Sequence, residues 1–240
     1  MEKDIVYILK NDIDPEELRY SLRSVCENFE FNKVWFFGGC PEGLYPDYCV
    51  PVQQKGGSKG QRVWYTYEFV FNTPSLTQQF YLFNDDFFVL KPYDQDMPLI
   101  NRDLDAHIER LEKKYASSNP GYYELLKRTR DVLVEMNKPT LDYTTHTPLL
   151  IDKEKAYQLL SIKNSYLSFR LLYGNINELG GAIIKDVKIL GLNTEPAPDA
   201  ALVSTSDKSF QQGKVGEYIR ERFPNPCRYE MQQPKEDVLY

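Results

Sequence analysis

Two adjacent carboxylates, Asp85 and Asp86, follow Asn84 at the end of the apolar run Phe80-Tyr81-Leu82-Phe83. Paired acids in a partly buried place repel each other by roughly 4 kcal/mol at about 4 Å and an effective dielectric near 20. That repulsion needs an answer: a divalent cation, a basic partner, or a proton held on one acid. A hard cation, Mg²⁺ or Mn²⁺, shared with substrate phosphates gives the pair a purpose. Asp85 and Asp86 are then its ligands, and Asn84 stands beside the substrate. The competing reading is a strand-end turn, in which Asn and Asp are common.

Other residues supply complementary chemistry. Arg19 and Arg23 lie four apart and so share one helix face. Arg23 and Arg170 offer the forked donors that suit phosphate oxygens. They compete with surface pairing, for instance of Arg19 and Arg23 with Glu16 or Glu27. His146 precedes Thr147-Pro148, and an imidazole ordinarily titrates at about 6.5, which suits proton transfer at neutral pH. It competes with a hydrogen-bonded loop residue. Asp207 is read as a further metal ligand, as a group that orients His146, or as a helix N-cap. Lys59, Gly60 and Arg62 fall at the start of a helical stripe, where backbone amides favour an anion.

The elements that must position these groups are legible. Residues 4–9 and 33–37 read as buried strands joined by a helix. Asp14 caps that helix, Pro15 opens it, and Glu17 completes a capping-box pattern. Leu18, Leu22, Val25 and Phe29 recur at helical spacing. A long loop over 40–60 leads to a helix over 61–72, and the 79–83 strand ends at the carboxylate pair. Two helical stretches joined by Ser117-Ser118-Asn119-Pro120-Gly121 form a hairpin insertion over about 101–138. Asp152 caps a helix through Leu160, and Gly174-Asn175 reads as a polar loop. Strands are expected at 187–190 and 202–207, followed by a helix over 215–223. The expectation is one α/β domain over 1–228, with a mostly parallel sheet flanked by helices and a flexible tail over 229–240.

With 240 residues, 42% of them hydrophobic, the chain can bury one sizeable core. Its net charge of −6 argues against a nucleic-acid partner. No stretch approaches the roughly 20 apolar residues of a membrane span, and the N-terminus lacks a leader pattern. Cys26, Cys40, Cys49 and Cys227 have no metal-ligand spacing, so reduced thiols and a cytoplasmic setting are expected.

Several runs, in order, resemble the Stealth family of sugar-phosphate transferases. They are Glu17-Leu18-Arg19-Tyr20-Ser21-Leu22-Arg23-Ser24, Phe83-Asn84-Asp85-Asp86-Phe87-Phe88, His146-Thr147-Pro148 with Ile151-Asp152-Lys153, Phe169-Arg170, and Tyr218 to Pro226 with Glu230. That family includes capsular polysaccharide phosphotransferases and the catalytic part of the N-acetylglucosamine-1-phosphotransferase. Its opening run after the first strand is replaced here by Tyr7-Ile8-Leu9-Lys10-Asn11-Asp12.

The resemblance implies a GT-A-like fold and a Mg²⁺- or Mn²⁺-dependent transferase. A UDP-sugar such as UDP-N-acetylglucosamine would donate sugar-1-phosphate to a glycan or polysaccharide hydroxyl, releasing UMP. Asp85, Asp86 and Asp207 would hold the metal, and His146, Asp86 and Arg170 would act in catalysis. Arg19, Tyr20, Ser21, Arg23, Arg62 and Asn84 would bind substrate. Such a protein would work in the cytoplasm or peripherally at the inner membrane face. Two alternatives stay open: glycosyl transfer with release of UDP, and sugar or nucleotide binding without turnover.

Overall fold

The computed structural model describes residues 3–53, 57, 59–93, 98–101, 103–115, 120–163 and 167–231. In chain order come β1 (Asp4–Leu9), α1 (Pro15–Asn28), β2 (Val34–Gly38), β3 (Tyr48–Pro51), α2 (Lys59–Phe71), β4 (Gln79–Phe83) and β5 (Phe87–Val89). They are followed by β6 (Leu99–Ile100), α3 (Leu104–Tyr115), α4 (Pro120–Glu135), β7 (Leu149–Asp152), α5 (Lys153–Gln158) and α6 (Phe169–Ile176). Next are β8 (Ala182–Ile183), β9 (Lys188–Ile189), β10 (Leu202–Thr205), α7 (Asp207–Gln212) and α8 (Lys214–Arg222). The class is α/β with mostly parallel pairing. β1–β2, β2–β3, β6–β8 and β9–β10 are parallel, whereas β4–β7 and β5–β10 are antiparallel. The chain forms two compact units, one of residues 1–53, 83–94 and 188–240, the other of 54–82 and 95–187.

In the first unit, Ile5, Val6 and Tyr7 of β1 have no exposed surface, as an unbroken apolar run requires. Asp14 caps α1 by accepting the Glu16 N–H at 3.0 Å, and Pro15 opens the helix. Leu18, Leu22 and Val25 are fully buried, each contributing about 1.5–3 kcal/mol. Three polar residues at helical spacing, Ser21, Ser24 and Asn28, bond the backbone of β5. Ser21 donates to the Phe87 carbonyl at 2.6 Å, Ser24 Oγ accepts the Val89 N–H at 3.0 Å, and Asn28 donates to the Val89 carbonyl at 2.9 Å. The helix thereby pins the strand that leaves the Asp85–Asp86 turn. Behind β5, Phe88 and Val203 pack with Phe210, Val215, Ile219 and Phe223 of the C-terminal helices.

In the second unit, Trp64, Tyr67 and Phe71 of α2 surround Phe169, with ring centroids 5.7, 4.2 and 5.5 Å away. Helices α3 and α4 bury Leu104, Ile108, Leu111, Tyr123 and Leu126 against Tyr143 and Leu171. The helical pattern of residues 104–136 thus corresponds to a real pair of helices. Asp152 caps α5 through the Lys155 N–H at 3.1 Å.

Several details differ from the sequence reading. The 40–60 loop contains β3, pinned by parallel pairing of Trp35 to Tyr48 and Phe37 to Val50. Cys40 and Cys49 are joined by a disulfide, with Cα atoms 6.1 Å apart, rather than left reduced. β3 supplies the proximity that spacing alone concealed. Gly174 and Asn175 lie inside α6, not in a loop. A Cβ at Gly174 would overlap the Tyr143 ring, so the glycine serves close packing. The N-cap of α7 is Ser206, in a capping box with Ser209, and Asp207 is the first helical residue. Tyr229 and Glu230, expected in the tail, are packed: Tyr229 is buried and its hydroxyl donates to Asp47 at 2.9 Å. Lys55, Ser117, Ser118, Asn119 and the tail from residue 232 lie outside the described residues.

Candidate functional site

The Asn84–Asp86 turn joins β4 to β5 and is closed by the Phe87 N–H on the Asn84 carbonyl at 3.3 Å. Pairing of Ser204 with Phe87 brings β10 beside it. Asp86 Oδ2 accepts from Lys188 Nζ at 2.9 Å and Ser204 Oγ at 3.0 Å. Its Oδ1 is buried with no hydrogen-bond partner among the described residues. Asp85 lines a pocket of about 220 Å³ whose wall includes Lys10, Glu17, Asp207 and Phe210.

The electrostatics of that pocket are lopsided. Six carboxylates line it, those of Asp12, Asp14, Glu16, Glu17, Asp85 and Asp207, against the ammonium of Lys10. Burial, and then the neighbouring Asp86 charge, push the Asp85 carboxyl above the usual aspartate range. Glu17 is raised to about 7, chiefly by burial and further by Asp86, Asp85 and Asp207, against the hydrogen bond from Thr205. Arg220 pairs with Glu16 at 3.0 Å, and the raised Glu17 and Asp85 carboxyls mark the crowding of like charge that remains.

Oxygen donors of this kind suit Mg²⁺ or Mn²⁺, and the orphaned Asp86 oxygen is the kind of atom such an ion satisfies. Among the described residues, however, no three His, Cys, Asp or Glu side chains are grouped as a closed metal site. The donor set therefore fits a cation held by one or two carboxylates and completed by substrate oxygens, as Mg²⁺ commonly is.

The expected substrate contacts on α1 are occupied within the fold. Arg23 Nε and Nη2 donate to the two oxygens of Glu230 at 2.6 and 2.7 Å, and Nη1 donates to the carbonyls of Phe223 and Pro224 at 2.9 and 3.1 Å. Arg19 reaches the same Glu230 at 3.0 Å. Burial disfavours the Glu230 anion, but hydrogen bonds from Arg23, the Cys227 N–H and Arg19 hold its pKa below the usual range. Tyr20 packs against Phe210, with Arg23 stacked over its ring at 4.6 Å. Ser21 is fully buried between Tyr7 and β5, which leaves it no surface for a ligand. These residues brace the first unit. Asn84 remains exposed on the turn.

In the second unit, His146 sits in a densely tied loop. Asp142 accepts the Thr144 N–H at 2.9 Å and the Asn101 amide at 3.2 Å, and Thr145 donates to the Leu99 carbonyl at 3.0 Å. Arg170, in the first turn of α6, straddles the histidine by donating to the carbonyls of Tyr143 at 3.1 Å and Thr147 at 2.7 Å. The expected phosphate fork of Arg170 thus rests on backbone oxygens. The His146 ring is held by Asp186, not Asp207, with Nδ1 3.0 Å from both carboxylate oxygens. Arg62 stands half-exposed in the first turn of α2.

No family profile and no curated protein sequence matches the chain. Among solved structures, it is similar to the galactosyltransferase LgtC in complex with donor and acceptor sugar analogues. The identity is 10%, the alignment covers 97% of this chain and 98% of that one, and the TM-score is 0.47. An active-site mutant of LgtC aligns at 11% identity, with the same coverage and TM-score. At this level the likeness carries no activity or substrate to this chain.

Among the residues of these sites that escaped the sequence reading are Lys10, Glu17, Lys188 and Asp186. Glu17 carried a signal, since it opens the Glu17–Ser24 run, but its position three residues after Asp14 disguised it as a capping residue. Lys188 and Asp186 join their partners only through tertiary pairing, and nothing in local spacing marks them.

Proposed function

We propose that this chain is a nucleotide-sugar transferase with a GT-A-like fold that moves hexose-1-phosphate from a UDP-sugar to a glycan hydroxyl and releases UMP. The observation that carries the reading is the charge imbalance of the Asp85 pocket. Even with Glu16 paired to Arg220, the acids of the lining outnumber its one lysine, so an anionic diphosphate needs a counter-charge there, and the same oxygens attract a divalent cation. The pocket accommodates a cation and phosphate groups, being smaller than the roughly 300 Å³ at which sites for whole small molecules begin. The order of the Stealth-like runs narrows the chemistry to sugar-phosphate transfer.

Asp85 and Asp207 would hold Mg²⁺ or Mn²⁺, which neutralises diphosphate charge when bound. Lys10 adds the positive charge native to the pocket. Lys188 and Ser204 fix the Asp86 carboxylate, and with it the turn that presents Asp85. His146, in the second unit, is the base this reading names for the acceptor hydroxyl. No helix among the described residues is long and apolar enough to cross a membrane. Peripheral work at a membrane face is part of the proposal.

The test is incubation with UDP-N-acetylglucosamine, Mn²⁺ and a glycan acceptor, with separation of the nucleotides formed. UMP supports the proposal. UDP instead establishes glycosyl transfer, and binding without either nucleotide leaves a sugar- or nucleotide-binding protein.

A further inference from the structure

The chain has two histidines, and each is hydrogen-bonded through Nδ1 to an aspartate. The pairs differ in exposure. His107 meets Asp142 at 2.6 Å, with side-chain exposures of 7% and 0%. It is sealed and serves the fold. His146 and Asp186 are 29% and 32% exposed. Asp186 Oδ1 also accepts the backbone N–H of His146 at 3.3 Å, so one carboxylate fixes both the ring and its main chain. A bare lone pair on Nδ1 facing two carboxylate oxygens at 3.0 Å would be repelled, so Nδ1 carries the proton. The basic lone pair of the neutral ring is then on Nε2, which has no hydrogen-bond partner among the described residues. The Tyr122 hydroxyl, bonded to Thr144, lies within electrostatic reach of Asp186, Asp142 and Arg110.

We propose that Asp186 is a positioning residue that locks His146 in the Nδ1–H tautomer and leaves Nε2 as the base for an acceptor hydroxyl. The inference deepens the transferase reading and rests on it for the identity of the acceptor. As the acceptor oxygen bonds to phosphorus, its proton passes to Nε2, and the bond from phosphorus to the UMP oxygen breaks with its electron pair leaving on UMP. Asp186 stabilises the resulting imidazolium, which returns the proton to solvent. Arg170 steadies the loop by holding the carbonyls on either side of the histidine.

The test is a long-range ¹H–¹⁵N correlation spectrum of the full chain above the titration range of histidine. Two histidines give two assignable patterns, and His146→Gln identifies the relevant one. Wild type should show His146 with a protonated Nδ1 and a bare Nε2. Asp186→Ala should convert this to the mixed, Nε2–H-rich pattern of a free imidazole, while His107 stays unchanged. Asp186→Glu should restore the locked pattern. In the nucleotide-release assay, Asp186→Ala should lower kcat about 10- to 100-fold with donor KM unchanged, a part of the roughly 100- to 10,000-fold that a general base contributes. An Nε2–H pattern in the wild type, or a locked pattern persisting in Asp186→Ala, overturns the assignment whatever the turnover. An unchanged kcat with a collapsed tautomer overturns its catalytic consequence. A lock that behaves as expected in a protein releasing no nucleotide supports the positioning role and sinks the transferase reading alone.

Discussion

Glu17→Gln should make the protein more stable, by an amount that depends on pH. The Glu17 carboxyl ionises at about 7 in the folded chain against an ordinary 4.5, mainly because it is buried and then because Asp86, Asp85 and Asp207 surround it. The unfolded chain therefore releases this proton earlier than the folded one. Stability is fully present below the unfolded value and is lost as pH rises through about 7. Between pH 5 and 8 the loss amounts to about 2.5 kcal/mol, from a total near 3.4 kcal/mol at about 1.36 kcal/mol per unit. Glutamine has nearly the same shape as the protonated acid and cannot ionise. The variant should match wild type to within about 1 kcal/mol at pH 5 and exceed it by roughly 2–3 kcal/mol at pH 8. Urea unfolding of both proteins across this range isolates the pocket, because titrating groups not coupled to Glu17 cancel in the difference. At an m-value of about 2–3 kcal/mol/M, the midpoints should separate by about 1 M at pH 8. A stability difference that does not change with pH refutes the reasoning. Mn²⁺ should flatten the wild-type dependence by favouring the ionised pocket.

Asp85→Asn should raise stability at neutral pH by relieving a buried charge, while weakening Mn²⁺ affinity measured calorimetrically by at least tenfold; unchanged affinity removes Asp85 from the cation site. Arg23→Lys should cost about 1–3 kcal/mol, since lysine cannot fork onto Glu230, and the loss should shrink as acid protonates that glutamate; chemical denaturation at pH 7 and pH 3 checks both. Gly174→Ala should destabilise by about 1–3 kcal/mol through overpacking against Tyr143, despite alanine's better helix propensity; a gain in thermal midpoint refutes it. Asp86→Asn should lower the thermal midpoint, because Lys188 and Ser204 both donate to that carboxylate; an unchanged midpoint returns Asp86 to a purely ligand-facing role.

The parts of the fold that local chemistry dictates were legible. Asp14 and Pro15 mark the start of α1 as expected, Asp152 caps α5, and the apolar runs of β1 and β4 are buried strands. Their signals lie within a few residues of one another. What escaped depends on distant partners. β3 exists because β2 lies beside it, and the glycine at 174 that looked like a loop signal is inside α6 because Tyr143 needs the space. The same rule divides the candidate sites. The carboxylate turn and His146 stand out by residue type and order. The arginines of α1 looked ligand-facing until Glu230, 207 residues beyond Arg23, occupied them. Asp186 could not be paired with His146 across 40 positions by any periodicity.

The clasp between Arg23 and Glu230 also bears on synthesis at the ribosome. The first unit is stitched from three separate stretches, 1–53, 83–94 and 188–240. Its opening helix therefore emerges long before the glutamate that neutralises its arginines, and before β10, which borders β5. A nascent chain stalled at residue 200 should leave α1 open to protease, and extension past Glu230 should close it. A helix made early in this unit is thus secured only by a residue made late in it, and until then its apolar face is open to non-native contacts.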